Sequence, residues 1–359
     1  MSNQKRLQHI AESFAIIGEV ESISPIGNGL INDSFKVTTA SDAPNYIIQK
    51  INNAIFRDVD LLQHNIETVT QHIRNRKKAE GRFEERNVLQ VVRTKDNRPY
   101  LLTDGEYWRM YLFIEDAVSF EKVDAESSYK AGKAFGEFQS QLTDLEGELG
   151  ETIPDFHNME FRIEEFRTAL QQDKAGRADS IRDLIEEVQK REEYMCQAER
   201  LHREGRLPKR ICHCDTKVNN MMFDKATGDF LCVIDLDTVM PSFVFSDIGD
   251  FLRTAANTGE EDDRNLENVN FDMEIYRAFT KGYLESASGF LTQLEKEMIP
   301  YAALLFPYMQ FVRFLTDYIN GDTYYKIQYP EHNLVRSRAQ LRLLQSAEDK
   351  MKEMQDAIR

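Results

Sequence analysis

Residues 213–220 read HCDTKVNN, placing an imidazole, a thiol, a carboxylate, an ammonium and two amides in one short stretch. Two chemistries compete for it. Preceded by Cys212, the run offers Cys212, His213 and Cys214 as soft ligands for a metal such as zinc. Alternatively, Asp215 and Asn220 supply parts of a phosphoryl-transfer site. Such a site has three jobs: to orient a hydroxyl nucleophile, to hold magnesium on nucleotide phosphates, and to neutralise charge as the phosphoryl group moves. A carboxylate does the first by accepting the hydroxyl proton. Hard oxygens, typically an Asn carbonyl and an Asp carboxylate, do the second.

Spacing separates the two readings. His213-x-Asp215 is followed, five residues after the Asp, by Asn220, the offsets of the H-x-D-x-x-x-x-N catalytic loop. Fifteen residues past Asn220, Asp235 closes the apolar run FLCVID, where it suits a second metal carboxylate. Between them, VNNMMFD, a turn at KATGD, and FLCVID read as a hairpin that returns Asp235 to the neighbourhood of Asn220. The zinc reading fares worse. Cys212-x-Cys214 is tighter than the usual ligand knuckle, and no second pair follows at finger spacing. Cys212, Cys214 and Cys232 sit in apolar, strand-like contexts, as small buried hydrophobes do.

Elements must carry these groups. Residues 1–20 read as a short amphipathic helix. From Val20 to Ile51 three short strands follow, with a Gly-rich turn between the first two. Ile55, Val59, Leu62, Ile66, Val69 and Ile73 recur at helical spacing. RNVLQVVRT, RPYLLT and EYWRMYLFIE add strands, so the first third predicts an antiparallel sheet with one helix packed on it. Beyond about residue 120 the pattern is mostly helical. Helices are expected over 124–144, 179–204, 247–257, 271–288, 291–320 and 335–357, interrupted by the 213–237 island. Gly205 and Pro208 end the second of these.

The sheet offers a nucleotide lobe. Gly27-x-Gly29-x-x-Asn32 lies between two strands, where a Gly-rich hairpin lets backbone N–H groups approach phosphate oxygens. Asn32 replaces a third glycine, and Asn tolerates left-handed φ; an ordinary hairpin turn is the alternative. In YIIQKIN, Lys50 is the candidate phosphate-binding lysine. Gln49 points to the opposite face, so strand register decides between them. Glu67 on the amphipathic helix is the candidate partner for Lys50. Backbone groups around Tyr111 to Glu115, at the end of the strand WRMYLFIE, are the expected adenine contacts if the chain is a kinase.

Bulk properties narrow the partners. The 359 residues suffice for two domains or one two-lobed fold. A net charge of −16 argues against nucleic acid and an anionic membrane as partners, because no basic field attracts them. The N-terminal stretch shows neither a signal peptide's apolar core nor a cleavage site, and no run is long enough to span a membrane. Four cysteines without such a signal read as free thiols in a cytoplasmic protein.

The string HCDTKVNNMMFD with VIDLDTVMP resembles the aminoglycoside-phosphotransferase and choline-kinase superfamily. With SDIGDFLRTAANTGEEDD, GNGLINDSFKV and RFLTDYINGDTYYKI added, the chain is most similar to the N-acetylhexosamine 1-kinase group. The resemblance implies an α+β, bilobal, protein-kinase-like fold. A small antiparallel-sheet N-lobe over 1–115 would bind nucleotide, and a large helical C-lobe over 116–359 would hold the catalytic loop and acceptor site. It implies ATP and Mg²⁺ as cofactors, a small-molecule sugar acceptor, Asp215 as catalytic base, and Asn220 and Asp235 as magnesium ligands. Lys217 contacts the γ-phosphate by this reading, or is simply solvated. Asp237 assists the metal or the loop, and His213 is structural. Asp247 and Asp250 brace the loop, with Arg253 as a further contact.

The acceptor side is less constrained. Arg313 interrupts the apolar helix PYMQFVRFLTDYI, where a buried cation needs a partner. Asp317 at i+4 is one candidate partner, and an acceptor hydroxyl is the other. Asn32, Asp33, Phe243 and Tyr324 are acceptor candidates through the resemblance alone, and IPDFHN at 153–158 is a candidate cap. The function these readings imply is ATP-dependent phosphorylation of the anomeric hydroxyl of N-acetylhexosamines to the 1-phosphate. The rivals are a kinase of the same fold for an aminoglycoside, choline or amino alcohol, and a pseudokinase that binds nucleotide only.

Overall fold

Period-two alternation over residues 20–51 yields β1 (Val20–Pro25), β2 (Asp33–Thr39) and β3 (Tyr46–Ile51), joined as antiparallel neighbours. This is seen in a computed structural model that describes residues 3–27, 31–119 and 123–358. β4 (Val91–Val92), β5 (Leu101–Thr103) and β6 (Glu106–Leu112) complete a six-stranded sheet of order β1-β2-β3-β6-β4, with β5 on β6. One face is covered by α1 (Asn3–Glu12), whose Leu7, Ile10 and Ala11 join Phe14, Val37, Tyr46, Ile48, Trp108 and Met110 in a buried cluster. The N-terminal helix is shorter than expected because the chain leaves it at Ser13 to bridge Phe14 to Thr94.

α2 (Val59–Ala79) starts where the Asp58 carboxylate accepts the Leu61 N–H at 2.8 Å, an N-cap that satisfies an otherwise orphaned donor. Val59, Leu62, Ile66, Val69 and Ile73 form its buried face, each such burial contributing about 1.5–3 kcal/mol. Ile55, counted in the periodicity, lies before the helix and is exposed. β7 (Ala117–Val118) pairs with a later hairpin strand. These elements, with Asp144–Pro154 and Asn220–Met240, form the first of two compact units; its remainder is Met1–Ser119.

The second unit comprises Phe120–Thr143, Asp155–Asn219 and Pro241–Arg359, and is helical. α3 (Ala125–Gln141) opens with a capping box between Asp124 and Ser127. α4 (Met159–Gln172), capped by Asn158, was not expected from the sequence. The single helix expected over 179–204 is two, α5 (Arg182–Met195) and α6 (Gln197–Arg203), broken at Cys196. Tyr301 donates to the Met195 carbonyl there at 2.6 Å, so a tertiary partner satisfies the helix end. β8 (Arg210–Cys212) leads into the 213–220 loop. After it come β9 (Met221–Asp224), β10 (Phe230–Val233) and β11 (Met240–Ser242), β8 pairing with β11. The chain ends in α7 (Phe245–Ala255), α8 (Met273–Ala287), α9 (Gln293–Glu297), α10 (Ile299–Ile319), α11 (His332–Glu348) and α12 (Met351–Ala357).

α3 and α8 pack at backbone distance. A Cβ on Gly132 would lie 2.0 Å from the Phe279 carbonyl oxygen, and one on Gly282 2.1 Å from that of Tyr129. Glycine at both positions is what permits the approach. No helix among the described residues is long and apolar enough to cross a membrane.

Candidate active site

The catalytic-loop half belongs to the second unit, where α7 grips it. One oxygen of the buried Asp247 carboxylate accepts the Cys214 N–H at 2.8 Å; the other accepts the His213 N–H at 3.0 Å and the Gln139 amide at 2.6 Å. Asp250 accepts the Thr216 N–H at 2.9 Å, and the Thr216 hydroxyl donates to the Asp247 carbonyl at 2.7 Å. The loop needs this grip because Cys214 is held at φ 62°, a left-handed conformation a non-glycine residue seldom adopts. Burial raises the Asp247 carboxyl, against the opposing pull of His213. Burial likewise raises Asp250, which Arg253 at 3.9 Å opposes and the neighbouring Asp215 carboxylate reinforces. The bracing expected of Asp247 and Asp250 is therefore present.

His213 is fully buried, edge-on to Phe135 and Phe138 with ring centres 5.7 and 5.8 Å away. That is a packing position. Cys212, Cys214 and Cys232 are buried free thiols, and burial pushes each one's pKa upward, to about 12 for Cys232. Among the described residues no group of three or more His, Cys, Asp or Glu side chains is arranged to hold a metal. The zinc reading has no site here. The Asp215 carboxylate meets the Lys217 ammonium at 2.8 Å, so Lys217 is an ion-pair partner of Asp215.

The residues expected to hold metal belong to the first unit. β9 and β10 pair with Val233 opposite Met221, and the Ile234 N–H donates to the Asn220 carbonyl at 2.8 Å. The hairpin thus returns Asp235 beside Asn220, as the spacing predicted. Asp235 sits at φ 59°, ψ 55°, an uncommon conformation that Asp tolerates better than most. An amide oxygen and a carboxylate are hard donors that suit magnesium. Magnesium held there would take its remaining ligands from phosphate and water oxygens, as it usually does.

The sheet face beside this hairpin departs from expectation. Register pairs Lys50 with Trp108 and Gln49 with Arg109, so Lys50 shares the α1 face with Trp108. Its ammonium lies 2.7 Å from Glu106, which also holds Arg6. Lys50 therefore does not point inward, and Glu67 is not its partner: Arg93 binds Glu67 through two bonds of 2.9 Å. The residue that occupies the inward face is Arg109, only 1% exposed, a position the sequence reading missed. Its Nε donates to Gln49 at 2.9 Å, and its Nη1 lies 2.5 Å from Asp237. Burial opposes the charge of Arg109, yet Asp237 outweighs it and raises the pKa above the ordinary arginine value.

Asp237 also accepts from the Asn32 amide at 2.6 Å, while the Asn32 side-chain oxygen accepts the Asn52 N–H at 2.9 Å. With both ends engaged, Asn32 links Asp237 to the Asn52 backbone within the first unit. Gly27 holds φ +71°, so the turn does use a glycine's freedom there, whereas Gly29 lies outside the described residues. At the expected adenine contacts, Phe113 N–H is already donated to Asn45 at 2.9 Å.

Acceptor candidates divide within the second unit. Phe243 is buried against His202 and Phe245, and its carbonyl accepts from the Cys212 thiol at 3.3 Å; it is core, and its assignment to the acceptor is corrected. Asp317 does not pair with Arg313. Its carboxylate accepts the N–H groups of Thr323, Tyr324 and Tyr325 at 2.8–2.9 Å, together with the Asn333 amide at 2.9 Å, folding the 321–325 turn back on α10. Arg313 is left half-buried, with a 3.4 Å bond to Gln310 and the rings of Phe156, Tyr324 and Tyr325 at 5.7–6.0 Å. Tyr324 is 71% exposed. Beside them, half-buried His157 has its pKa well lowered by desolvation first and then by Arg313, Arg162 and Arg253. Arg253, in the same unit, faces Asp250, whose burial-raised carboxyl also feels Asp215.

A family model described as the phosphotransferase enzyme family matches residues 22–279. Solved structures with similar folds include a spectinomycin phosphotransferase in complex with ADP and spectinomycin, at 12% identity over 98% of this chain and 99% of that one, TM-score 0.59. An aminoglycoside phosphotransferase from Alicyclobacillus acidocaldarius matches at 12% identity over 98% and 96%, TM-score 0.61. A Plasmodium vivax ethanolamine kinase matches at 17% identity over 89% and 82%, TM-score 0.54. All three share the kinase-like arrangement of an antiparallel sheet followed by a mainly helical part.

Proposed function

We propose that this chain, which belongs to the phosphotransferase enzyme family, transfers the γ-phosphoryl group of ATP to a hydroxyl of an uncharged, polyhydroxylated small molecule, with the anomeric hydroxyl of an N-acetylhexosamine as the first candidate. In this reading Asp215 orients the acceptor hydroxyl and takes its proton as the oxygen–phosphorus bond forms and the bond to the leaving ADP oxygen breaks. Asn220 and Asp235 would hold magnesium on the phosphates, and magnesium, when bound, supplies positive charge to the transferring group. Lys217, which pairs with Asp215, would exchange that partner for the γ-phosphate. Asp247 and Asp250 hold the loop so that Asp215 need not reorganise.

The observation that carries the acceptor class is Arg313. It is a half-buried guanidinium among Phe156, Tyr324 and Tyr325 with no carboxylate partner among the described residues. A site for a cationic acceptor would present acidic groups at this position, since unlike charges favour capture and like charges cost several kcal/mol. Donor N–H groups beside aromatic faces suit hydroxyl and acetamido oxygens over an apolar ring face. A second reading, an amino alcohol or aminoglycoside acceptor, is favoured by the names of the similar structures, which include an ethanolamine kinase and aminoglycoside phosphotransferases, and by the net charge of −16.

Incubation with ATP and Mg²⁺ against a panel of N-acetylglucosamine, N-acetylgalactosamine, ethanolamine, choline and spectinomycin separates the readings. The expected result is ADP release dependent on an N-acetylhexosamine, with a ³¹P signal of a sugar 1-phosphate. Turnover confined to the amine-bearing acceptors would transfer the assignment to the second reading.

A further inference from the structure

The inward face of the sheet carries a buried cation whose hydrogen-bonding capacity is mostly unspent. A guanidinium has five N–H donors. Among the described residues only the Nε donor of Arg109 has an aligned partner, Gln49 at 2.9 Å. Nη1 is engaged by the Asp237 carboxylate at 2.5 Å, which leaves the remaining Nη donors without an aligned acceptor among the described residues. Two positions along β6 on the same face, the buried Tyr111 hydroxyl also has no hydrogen-bond partner. A buried hydroxyl left unmatched is costly, and beside a guanidinium with donors to spare it points to a ligand that matches both when it is bound. Asp235, the proposed magnesium ligand, lies in the electrostatic field of both Arg109 and Tyr111.

We infer that Arg109, with the Tyr111 hydroxyl, is the phosphate-contacting group of the nucleotide site, filling on β6 the place that a β3 lysine was expected to fill. Lys50 is turned to the α1 face and held by Glu106 at 2.7 Å, and the β3 residue on the inward face is the uncharged Gln49. The cation has therefore moved one strand across, and Gln49 steadies it. Asp237 and Asn32 fix the guanidinium against the turn that carries Asp235, so one network sets the phosphate donor and the proposed metal carboxylate together. A planar guanidinium suits this job better than an ammonium, because two of its N–H groups can meet two phosphate oxygens at once.

The inference rests on the kinase reading, and nucleotide binding tests it without any acceptor. Titrations of Mg²⁺–ADP and of adenosine are followed by calorimetry in the wild-type protein and in R109Q/D237N, R109K, Y111F and K50Q. The double variant removes both charges together, so no buried carboxylate is stranded. R109Q/D237N is expected to lose about 10- to 100-fold in ADP affinity, with adenosine affinity unchanged and a thermal midpoint close to wild type. R109K, which keeps the charge but not the fork, falls between, and it gives the same comparison should the double variant fail to fold. Y111F loses ADP affinity severalfold, and K50Q binds ADP as wild type does. ADP affinity unchanged in both Arg109 variants, or lost in K50Q, overturns the inference and leaves the kinase reading standing. A wild-type protein that binds no ADP would overturn both.

Discussion

Arg313 and Phe243 make the residue-scale contrast. Both lie in the second unit and both were acceptor candidates, yet one is a half-buried cation without a carboxylate and the other is a core ring. Arg313→Ala is expected to lower kcat/KM for the preferred acceptor about 10- to 100-fold, chiefly through KM, while ADP affinity stays at the wild-type value. Steady-state kinetics with varied acceptor would show it, and a change under twofold would remove Arg313 from the acceptor site. Phe243→Ala instead should cost about 3–5 kcal/mol of stability by emptying its slot between His202 and Phe245, read as a lowered midpoint in urea unfolding. Spacing alone was enough to foresee the hairpin that returns Asp235 toward Asn220, because that hairpin is local in the chain. The Lys50–Glu67 pair failed for a nonlocal reason. Which face of β3 looks inward depends on its pairing with β6, some sixty residues downstream, as the Gln49–Arg109 partnership shows.

At the scale of elements, the close crossing of α3 and α8 and the turn after β9 each carry a prediction. Gly132→Ala would drive a Cβ to 2.0 Å from the Phe279 carbonyl, and neither helix backbone can yield cheaply. The expected loss is about 1–3 kcal/mol or more, with a lowered thermal midpoint. Asp224 ends β9, and its carboxylate is held at about 2 by the Thr227 N–H first, then by Arg86 at 2.6 Å and the Ala226 N–H. A carboxyl depressed in the folded state stabilises the fold above its ordinary value near 3.8. That contribution disappears as pH falls toward 2. Asp224→Asn should flatten the acid limb of the stability curve between those pH values and leave the neutral region's slope unchanged; denaturant midpoints measured from pH 2 to 6 would reveal an unaltered limb if this is wrong. The α2 face was legible because Val59, Leu62, Ile66, Val69 and Ile73 repeat cleanly. α4 was not, since its buried residues are only Met159, Ile163, Phe166 and Ala169, although the Asn158 cap was a readable start signal. The split at Cys196 was invisible because it is made by Tyr301, a residue far along the chain.

For the whole molecule, two units built from interleaved segments explain why sequence boundaries say little about where chemistry is held. The bond between Asn219 and Asn220 separates them, so one short loop supplies Asp215 to the second unit and Asn220 to the first. The family match over residues 22–279 takes in segments of both. The net charge of −16 constrains only which partners are repelled at long range. The central claim is that this chain moves a phosphoryl group from ATP to a hydroxyl with Asp215 as the base. Its most direct test is acceptor-dependent ADP release, measured side by side for the wild-type protein and Asp215→Asn at saturating Mg²⁺–ATP. The account predicts a fall in kcat of about 10³-fold or more in the variant, with ATP affinity within a few-fold of wild type. A variant that keeps full acceptor-dependent turnover would contradict it.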